Sequence, residues 1–236
     1  MSGPSRPRQL PLRRFLDVAA ALVGLVLLSP VLVTLALWIL LRDGRPILFT
    51  QMRVGRAGKL FRIWKFRTMR TGAAGGSITA AGDRRITPTG ALLRRFKLDE
   101  LPQLFNVLRG DMSLIGPRPE MPEYVNLESL MWQAVLQVPP GITDLATLLY
   151  RDEEALLSGH RDADRFYREA LLPAKLRLNL AYLQQRCLSR DARLIWLTVR
   201  YSLAPGQYDP ARIHKNLGTE AEHVRDLYSV SSAVNR

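Results

Sequence analysis

Residues 89–120 read TGALLRRFKLDELPQLFNVLRGDMSLIGPRPE. Pro102 lacks a backbone N–H and fits only the first turn of a helix. After it, Leu104, Phe105, Val107 and Leu108 are spaced as one helical face. This reading puts Asp99 at or near the N-cap, with Asp99 and Glu100 crowding a helix N-terminus, where negative charge is favoured. An ordinary acidic cap would need no more than that. The neighbours point further. Gly90 to Phe96 reads as a short preceding helix carrying Arg94 and Arg95, and Gly116-Pro117-Arg118-Pro119 holds Arg118 in a stiff turn. Acids flanked by arginines suggest a phosphate-handling site with a divalent metal. Arginine matches phosphate oxygens with a planar fork, and Mg2+ takes a carboxylate or two plus substrate phosphates.

The rest of the composition fits an anionic partner. The 236 residues carry a net charge of +13, which favours lipid headgroups, nucleotide phosphates or nucleic acid. The single cysteine, Cys187, rules out an intrachain disulfide, and His160, His214 and His223 lack metal-ligand spacing.

Val18 to Leu41 is uncharged, with Ser29 and Thr34 as its polar side chains. As a straight helix it would reach roughly 36 Å, enough to span a bilayer. Proline at position 30, after Ser29, removes a helix hydrogen bond near the middle. Both flanks are basic: Arg6, Arg8, Arg13 and Arg14 before, Arg42, Arg45, Arg53 and Arg56 after. The positive-inside rule then places both ends on the cytoplasmic side. A helix-break-helix hairpin, broken at Ser29-Pro30 and re-emerging on the face it entered, satisfies both facts. A kinked single span is the alternative.

Elsewhere, Met1 to Leu12 reads as a basic disordered arm, and Arg14 and Asp17 as an interfacial ion pair. Ile47–Arg53 and Leu60–Phe66 read as strands of a hairpin turning at Gly55-Arg56-Ala57-Gly58. Lys65-Phe66-Arg67-Thr68-Met69 follows, either a site motif or a solvated edge strand. Thr71 to Gly82 reads as a mobile loop, a possible active-site cover, and Asp83 as a turn residue rather than a metal ligand; Asp83 and Asp111 are the further acids to place against the metal site. Tyr124–Leu136 looks helical, and Pro139 to Asp144 a rigid turn. Leu171–Gln185 is expected to be a helix with Leu172, Leu176, Leu180 and Leu183 on one side. Asp191–Leu203 is a helix for either the core or the headgroup plane, and Tyr208–Arg236 a polar tail.

Taken together, five segments resemble the bacterial monotopic phosphoglycosyl transferases, which move a sugar 1-phosphate onto polyprenyl phosphate. They are Arg14 to Pro30, Phe49-Thr50-Gln51-Met52-Arg53-Val54-Gly55, Lys65 to Met69, Leu98 to Pro119, and Pro140-Gly141-Ile142-Thr143. The resemblance implies a helix-rich α/β cytosolic domain with an N-terminal re-entrant membrane hairpin and interfacial amphipathic helices. Its parts would be a basic arm (1–12), the hairpin (13–42), the catalytic domain (43–204) and a polar tail (205–236). It implies Asp99 as a nucleophile that attacks a UDP-sugar, releases UMP and holds the phosphosugar covalently. Glu100 would hold Mg2+. Arg94 and Arg118 match phosphate-contacting positions, and Lys65 and Arg67 match a family motif. Polyprenyl phosphate, the UDP-sugar and membrane lipids are the implied partners, with no nucleic acid. The active site would face the cytoplasm at the inner membrane of a bacterium. One departure is Asp144, which stands where many members have glycine after Pro-Gly-Ile-Thr, and it leaves the sugar unassigned.

Two other functions compete on composition. A membrane-anchored, non-enzymatic lipid- or nucleic-acid-binding module would explain the arginines but not two acids placed among them. A glycosyl transferase moving sugar without phosphate would release UDP.

Overall fold

A computed structural model describes residues 9–72 and 78–217. Most of the arm, the centre of the 71–82 loop and the end of the tail lie outside the described residues.

The first element is a helix of 35 residues, α1 (Gln9–Asp43), with Pro30 inside it. It is long and apolar enough to cross a membrane. The break expected at Ser29-Pro30 is instead accommodated within helical backbone. Proline deprives the Val26 carbonyl of its usual N–H partner, and the Ser29 hydroxyl donates to that carbonyl at 2.7 Å. Thr34 Oγ1 donates to the Pro30 carbonyl at 2.8 Å. A supplied partner removes the main reason for the chain to unwind there.

One stripe of α1 packs on the globular domain. Ala21, Leu25 and Leu28 meet Phe61, Ile63, Leu104 and Val107, while Leu32, Leu35 and Ile39 meet Phe66 and Leu93. The opposite stripe, including Leu22, Val26, Leu27, Val33, Leu37 and Leu41, is exposed. Both ends of the helix are fastened to that domain. Arg14 does not pair with Asp17. It donates to the carbonyls of Val107 and Leu108 (2.6 and 2.9 Å), while Asp17 accepts from Ser113 Oγ and the Leu114 N–H (2.7 and 3.1 Å). At the far end Thr87 Oγ1 donates to Asp43 Oδ2 at 2.9 Å.

Strands β1 (Leu48–Val54) and β2 (Leu60–Phe66) form the expected antiparallel hairpin, with Leu48 opposite Phe66 and Val54 opposite Leu60. Helix α2 (Pro88–Arg95) is N-capped by Thr87, whose hydroxyl accepts the Gly90 N–H at 2.9 Å. A Cβ on Gly90 would fall 2.0 Å from the Thr68 carbonyl oxygen, so only glycine lets α2 rest on that backbone. Helix α3 is Gln103–Arg109. Its last carbonyls are the ones that Arg14 caps, and Gly110 at φ 92° closes it.

A second small sheet was not expected. Strand β3 (Ser113–Ile115) runs parallel to β4 (Gly141–Thr143), where a bare turn was foreseen. Gly116 and Gly141 touch backbone to backbone; a Cβ on Gly141 would sit 2.1 Å from the Gly116 nitrogen. Between these strands the helix foreseen over Tyr124–Leu136 shrinks to α4 (Leu130–Val135). Short helices α5 (Leu145–Leu149), α6 (Glu153–Ser158) and α7 (Ala163–Phe166) then lead to α8 (Leu172–Gln184) and α9 (Leu188–Leu203). Their core holds Leu145, Leu149, Leu171, Leu194, Leu197 and Tyr201. On α8, Leu172 and Leu176 are buried as expected, with Leu178 and Tyr182, while Leu180 and Leu183 are half-buried.

The core reading of α9 holds for one face, and the other face is exposed and apolar. Leu194, Leu197 and Tyr201 are core, whereas Ile195, Trp196, Val199 and Leu203 are exposed. The tail needs correcting: α10 (Pro210–Leu217) buries Ile213 and Leu217 in the main core. Two apolar side chains spaced by one helical turn suffice to dock a polar segment.

Candidate active site

Asp99 and Glu100 do not cap α3. They occupy a 3-10 turn, Leu98–Glu100, that begins after Lys97 in the left-handed region (φ 56°) and ends before the α3 N-cap, Pro102. For a lysine that backbone conformation is unusual. It reverses the chain at the end of α2 and turns both acids into the domain, each only 7% exposed.

Both acids line a cavity of about 560 Å3, together with Lys65, Arg94, Lys97 and Arg118. Glu100 Oε1 accepts from Lys65 Nζ at 2.8 Å and from Arg118 Nη2 at 2.6 Å. Asp99 is different: its Oδ1 is buried with no hydrogen-bond partner. The electrostatics divide accordingly. Burial would raise the Glu100 carboxyl, but Arg118, Lys65 and Lys97 outweigh it and hold the group well below the usual carboxylate range. Burial pushes the Asp99 carboxyl up, aided by the neighbouring Glu100 charge and opposed by Lys65, Lys97 and Arg94. Glu100 in turn raises the Arg118 guanidinium, and burial lowers the Lys65 ammonium.

Arg118 is held from behind as well. Its backbone N–H donates to Asp144 Oδ2 at 2.8 Å. Asp144 is 2% exposed and N-caps α5, accepting from the Thr147 N–H (2.6 Å) and hydroxyl (2.9 Å). Asp144 therefore ties the arginine loop to α5. Arg94 lies on the cavity wall and its guanidinium grips Glu154 of α6, with Nε 3.1 Å from Oε1.

Arg67 faces the cavity only in part. Its guanidinium caps the end of α1, donating to the carbonyls of Asp43 (2.5 Å), Gly44 (2.8 Å) and Arg45 (3.4 Å). Ser29 and Pro30 lie in α1 and not among the cavity residues. Asp83 accepts the Arg85 N–H at 2.9 Å and pairs with its guanidinium, a turn as read. Asp111 binds Asn106 and Arg109 and does not line the cavity.

A second charged group on the cavity wall escaped the sequence reading. Lys175 of α8, 3% exposed, reaches Glu153 Oε2 at 3.0 Å and Glu120 Oε1 at 3.5 Å. Its Nζ is also 3.4 Å from the Tyr167 hydroxyl. Arg53 stands 3.9 Å from Glu120. The available signal was a lysine within the otherwise apolar run around Leu172 and Leu176. Burial lowers the Lys175 ammonium, but Glu153, Tyr167 and Glu120 outweigh it and raise it well above the usual value.

For a metal, the adjacent carboxylates of Asp99 and Glu100 both line the cavity, and no described residue donates a hydrogen bond to Glu100 Oε2. No three His, Cys, Asp or Glu gather among those residues. Two carboxylates fit Mg2+, which completes its shell with phosphate and water, and do not fit zinc.

Comparison with known proteins shows the family. Residues 8–205 match the model of a family described as bacterial sugar transferase. A Bacillus subtilis (strain 168) relative, a putative undecaprenyl-phosphate N-acetylgalactosaminyl 1-phosphate transferase, is 44% identical over 50% of this chain and 66% of its own length. An Aeromonas hydrophila UDP-N-acetylgalactosamine-undecaprenyl-phosphate N-acetylgalactosaminephosphotransferase is 38% identical over 59% of this chain and 34% of its own. A Caulobacter vibrioides UDP-glucose:undecaprenyl-phosphate glucose-1-phosphate transferase is 38% identical over 79% of this chain and 68% of its own. These matches span from about a third to about two thirds of the relatives' lengths, and the family match covers most of this chain, cavity residues included: the chain belongs to the bacterial sugar transferase family.

Proposed function

We propose that this protein transfers a sugar 1-phosphate from a UDP-sugar to polyprenyl phosphate at a membrane, through a covalent Asp99 intermediate. One observation carries the reading. The buried Asp99 carboxylate, one oxygen of which has no hydrogen-bond partner, lines a cavity ringed by Lys65, Arg94 and Arg118. Leaving a buried polar atom unpaired costs about 1–3 kcal/mol, so such atoms call for an explanation in use.

Asp99 Oδ1 attacks the β-phosphorus of the donor, the bond from that phosphorus to the bridging oxygen breaks, and UMP leaves. The sugar stays on the phosphorus, now esterified to Asp99. An oxygen of polyprenyl phosphate then attacks the same phosphorus, freeing the carboxylate and giving polyprenyl diphosphate sugar. Arg118 and Lys65 are placed to meet phosphate charge, and Glu100 keeps both in position. Burial makes Asp99 poorly solvated and hence a stronger nucleophile when ionised. Glu100 would hold Mg2+, which when bound would offset diphosphate charge.

The membrane part of the reading rests on α1. Its exposed stripe is too apolar and too continuous for water. Its two ends bind one domain, so α1 lies along that domain and leaves the apolar stripe free to meet lipid. The basic flanks support a cytoplasmic position for that domain. The test is nucleotide release from detergent-solubilised protein with undecaprenyl phosphate, Mg2+ and a panel of UDP-sugars. UMP that disappears with Asp99→Asn, and with a chelator, is expected. UDP instead would mean sugar transfer without phosphate, and binding without release of either nucleotide would mean a non-enzymatic module.

A further inference from the structure

The cavity lining carries acids as well as cations. Besides Lys65, Arg94 and Arg118 it includes the carboxylate of Glu153. Its Oε2 is taken by Lys175; its Oε1 has no protein donor among the described residues, and its side chain is 28% exposed. The anchor is elaborate for one exposed acid. Lys175 is almost wholly buried and is shared with Glu120 and Tyr167. Buried ion pairs contribute little net stability, because desolvation offsets their attraction. What such a network supplies is a fixed direction for the carboxylate. Glu153 and Glu120 line the same cavity as the phosphate-facing Arg118. The unpartnered Asp99 Oδ1 marks the same cavity as one built for a ligand.

Chemistry then fixes what lies there. The anomeric carbon is one ester oxygen from the phosphorus that Asp99 attacks. The sugar ring must therefore rest against a wall next to Arg118. We propose that Glu153, held by Lys175, is that wall: it accepts hydrogen bonds from donor-sugar hydroxyls and makes the site select neutral or amino sugars over uronic acids. A carboxylate receives a vicinal diol well and repels a sugar carboxylate. This specificity rests on the phosphosugar-transfer reading. The ribose of the nucleotide carries the same diol, so the test must separate the two.

Full-length Asp99→Asn protein in detergent binds donors without turnover. Its affinity would be measured for UMP, UDP-glucose, UDP-galactose, UDP-N-acetylglucosamine and UDP-glucuronate. At least one neutral donor should bind about ten-fold or more tighter than UDP-glucuronate. Adding Glu153→Gln should shrink that gap about five-fold or more, leaving UMP affinity within about two-fold. Glu153→Asp, which keeps the charge near Lys175, should retain the discrimination against uronate. UDP-glucuronate binding as tightly as every neutral donor would overturn the proposal without any change at position 153. Parallel loss of UMP and donor affinity in both position-153 variants would overturn it too, assigning Glu153 to the ribose or to the fold. If wild-type protein releases no UMP from any neutral donor that binds, the transfer reading fails instead, and a uronate gap that Glu153→Gln removes would still uphold the sugar contact.

Discussion

Two buried ion clusters in this protein use the same residue types to opposite ends. Under the start of α1, Asp191 receives Tyr182 OH (2.7 Å), Arg186 Nε (3.2 and 3.3 Å) and Arg13 Nη1. Both of its oxygens are engaged, and it lines no part of the cavity. In the cavity, Glu100 is engaged by Lys65 and Arg118, but its neighbour Asp99 keeps a buried oxygen bare. A cluster whose valences close on themselves fastens one element to another. A cluster that leaves a carboxylate unsatisfied beside cations is unfinished without a ligand.

Asp99→Asn and Asp191→Asn break that contrast most directly. The first should lower UMP release by about 10^4-fold or more, with thermal stability unchanged or higher, since it removes a buried charge. The second should cost about 3–5 kcal/mol by leaving Arg13 and Arg186 buried without their counter-charge, while release per folded molecule stays within a few-fold. Nucleotide release and thermal unfolding on both variants decide it, and an Asp191 variant that folds but is inactive would erase the distinction.

Arg118→Lys comes next. A compact ammonium cannot serve Glu100 and a phosphate at once as the planar fork does, so kcat should fall about 100-fold. Asp144→Ala should act through Arg118: about ten-fold in kcat, with roughly 1 kcal/mol from the lost α5 cap. Thermal loss without a change in kcat would make Asp144 only a cap. The smallest effect concerns Glu120. Burial would raise its carboxyl, but Lys175 and Arg53 hold it below the usual range. The folded state then binds fewer protons than the unfolded state in that acid window. Stability present above the unfolded-state pKa is lost as pH falls through the folded one. Glu120→Gln should flatten that acid limb in denaturant titrations, and an unchanged limb would show that the cation partners do not govern it.

The sequence reading was sound where patterns are local. The β1–β2 hairpin follows from two strand-like runs around a glycine turn, and the short helix read over Gly90–Phe96 is α2, Pro88–Arg95. The pairing of Asp99 with Glu100 needed only their adjacency. It was less sound where a local pattern has two physical outcomes. Ser29-Pro30 reads as a break, yet the serine hydroxyl supplies the lost bond and the helix runs on. Asp99 before a Leu-Pro reads as a cap, yet Lys97 turns the chain a step earlier. The Pro140–Thr143 turn became a strand because Ser113–Ile115 lay alongside to pair with it.

By itself the sequence determined an apolar basic-flanked segment, a short acidic pair among arginines, and the helices whose apolar periodicity is plain. These depend on neighbours a few residues apart, where spacing sets geometry. Tertiary structure alone decided which charges meet: Arg13 with Asp191, Lys175 with Glu120 and Glu153, Arg118 with Glu100 and, through its amide, Asp144. It alone left Asp99 without a partner. A charged side chain carries no mark of its eventual counter-ion. That choice is made when core packing brings distant segments together and burial makes each unpaired charge costly.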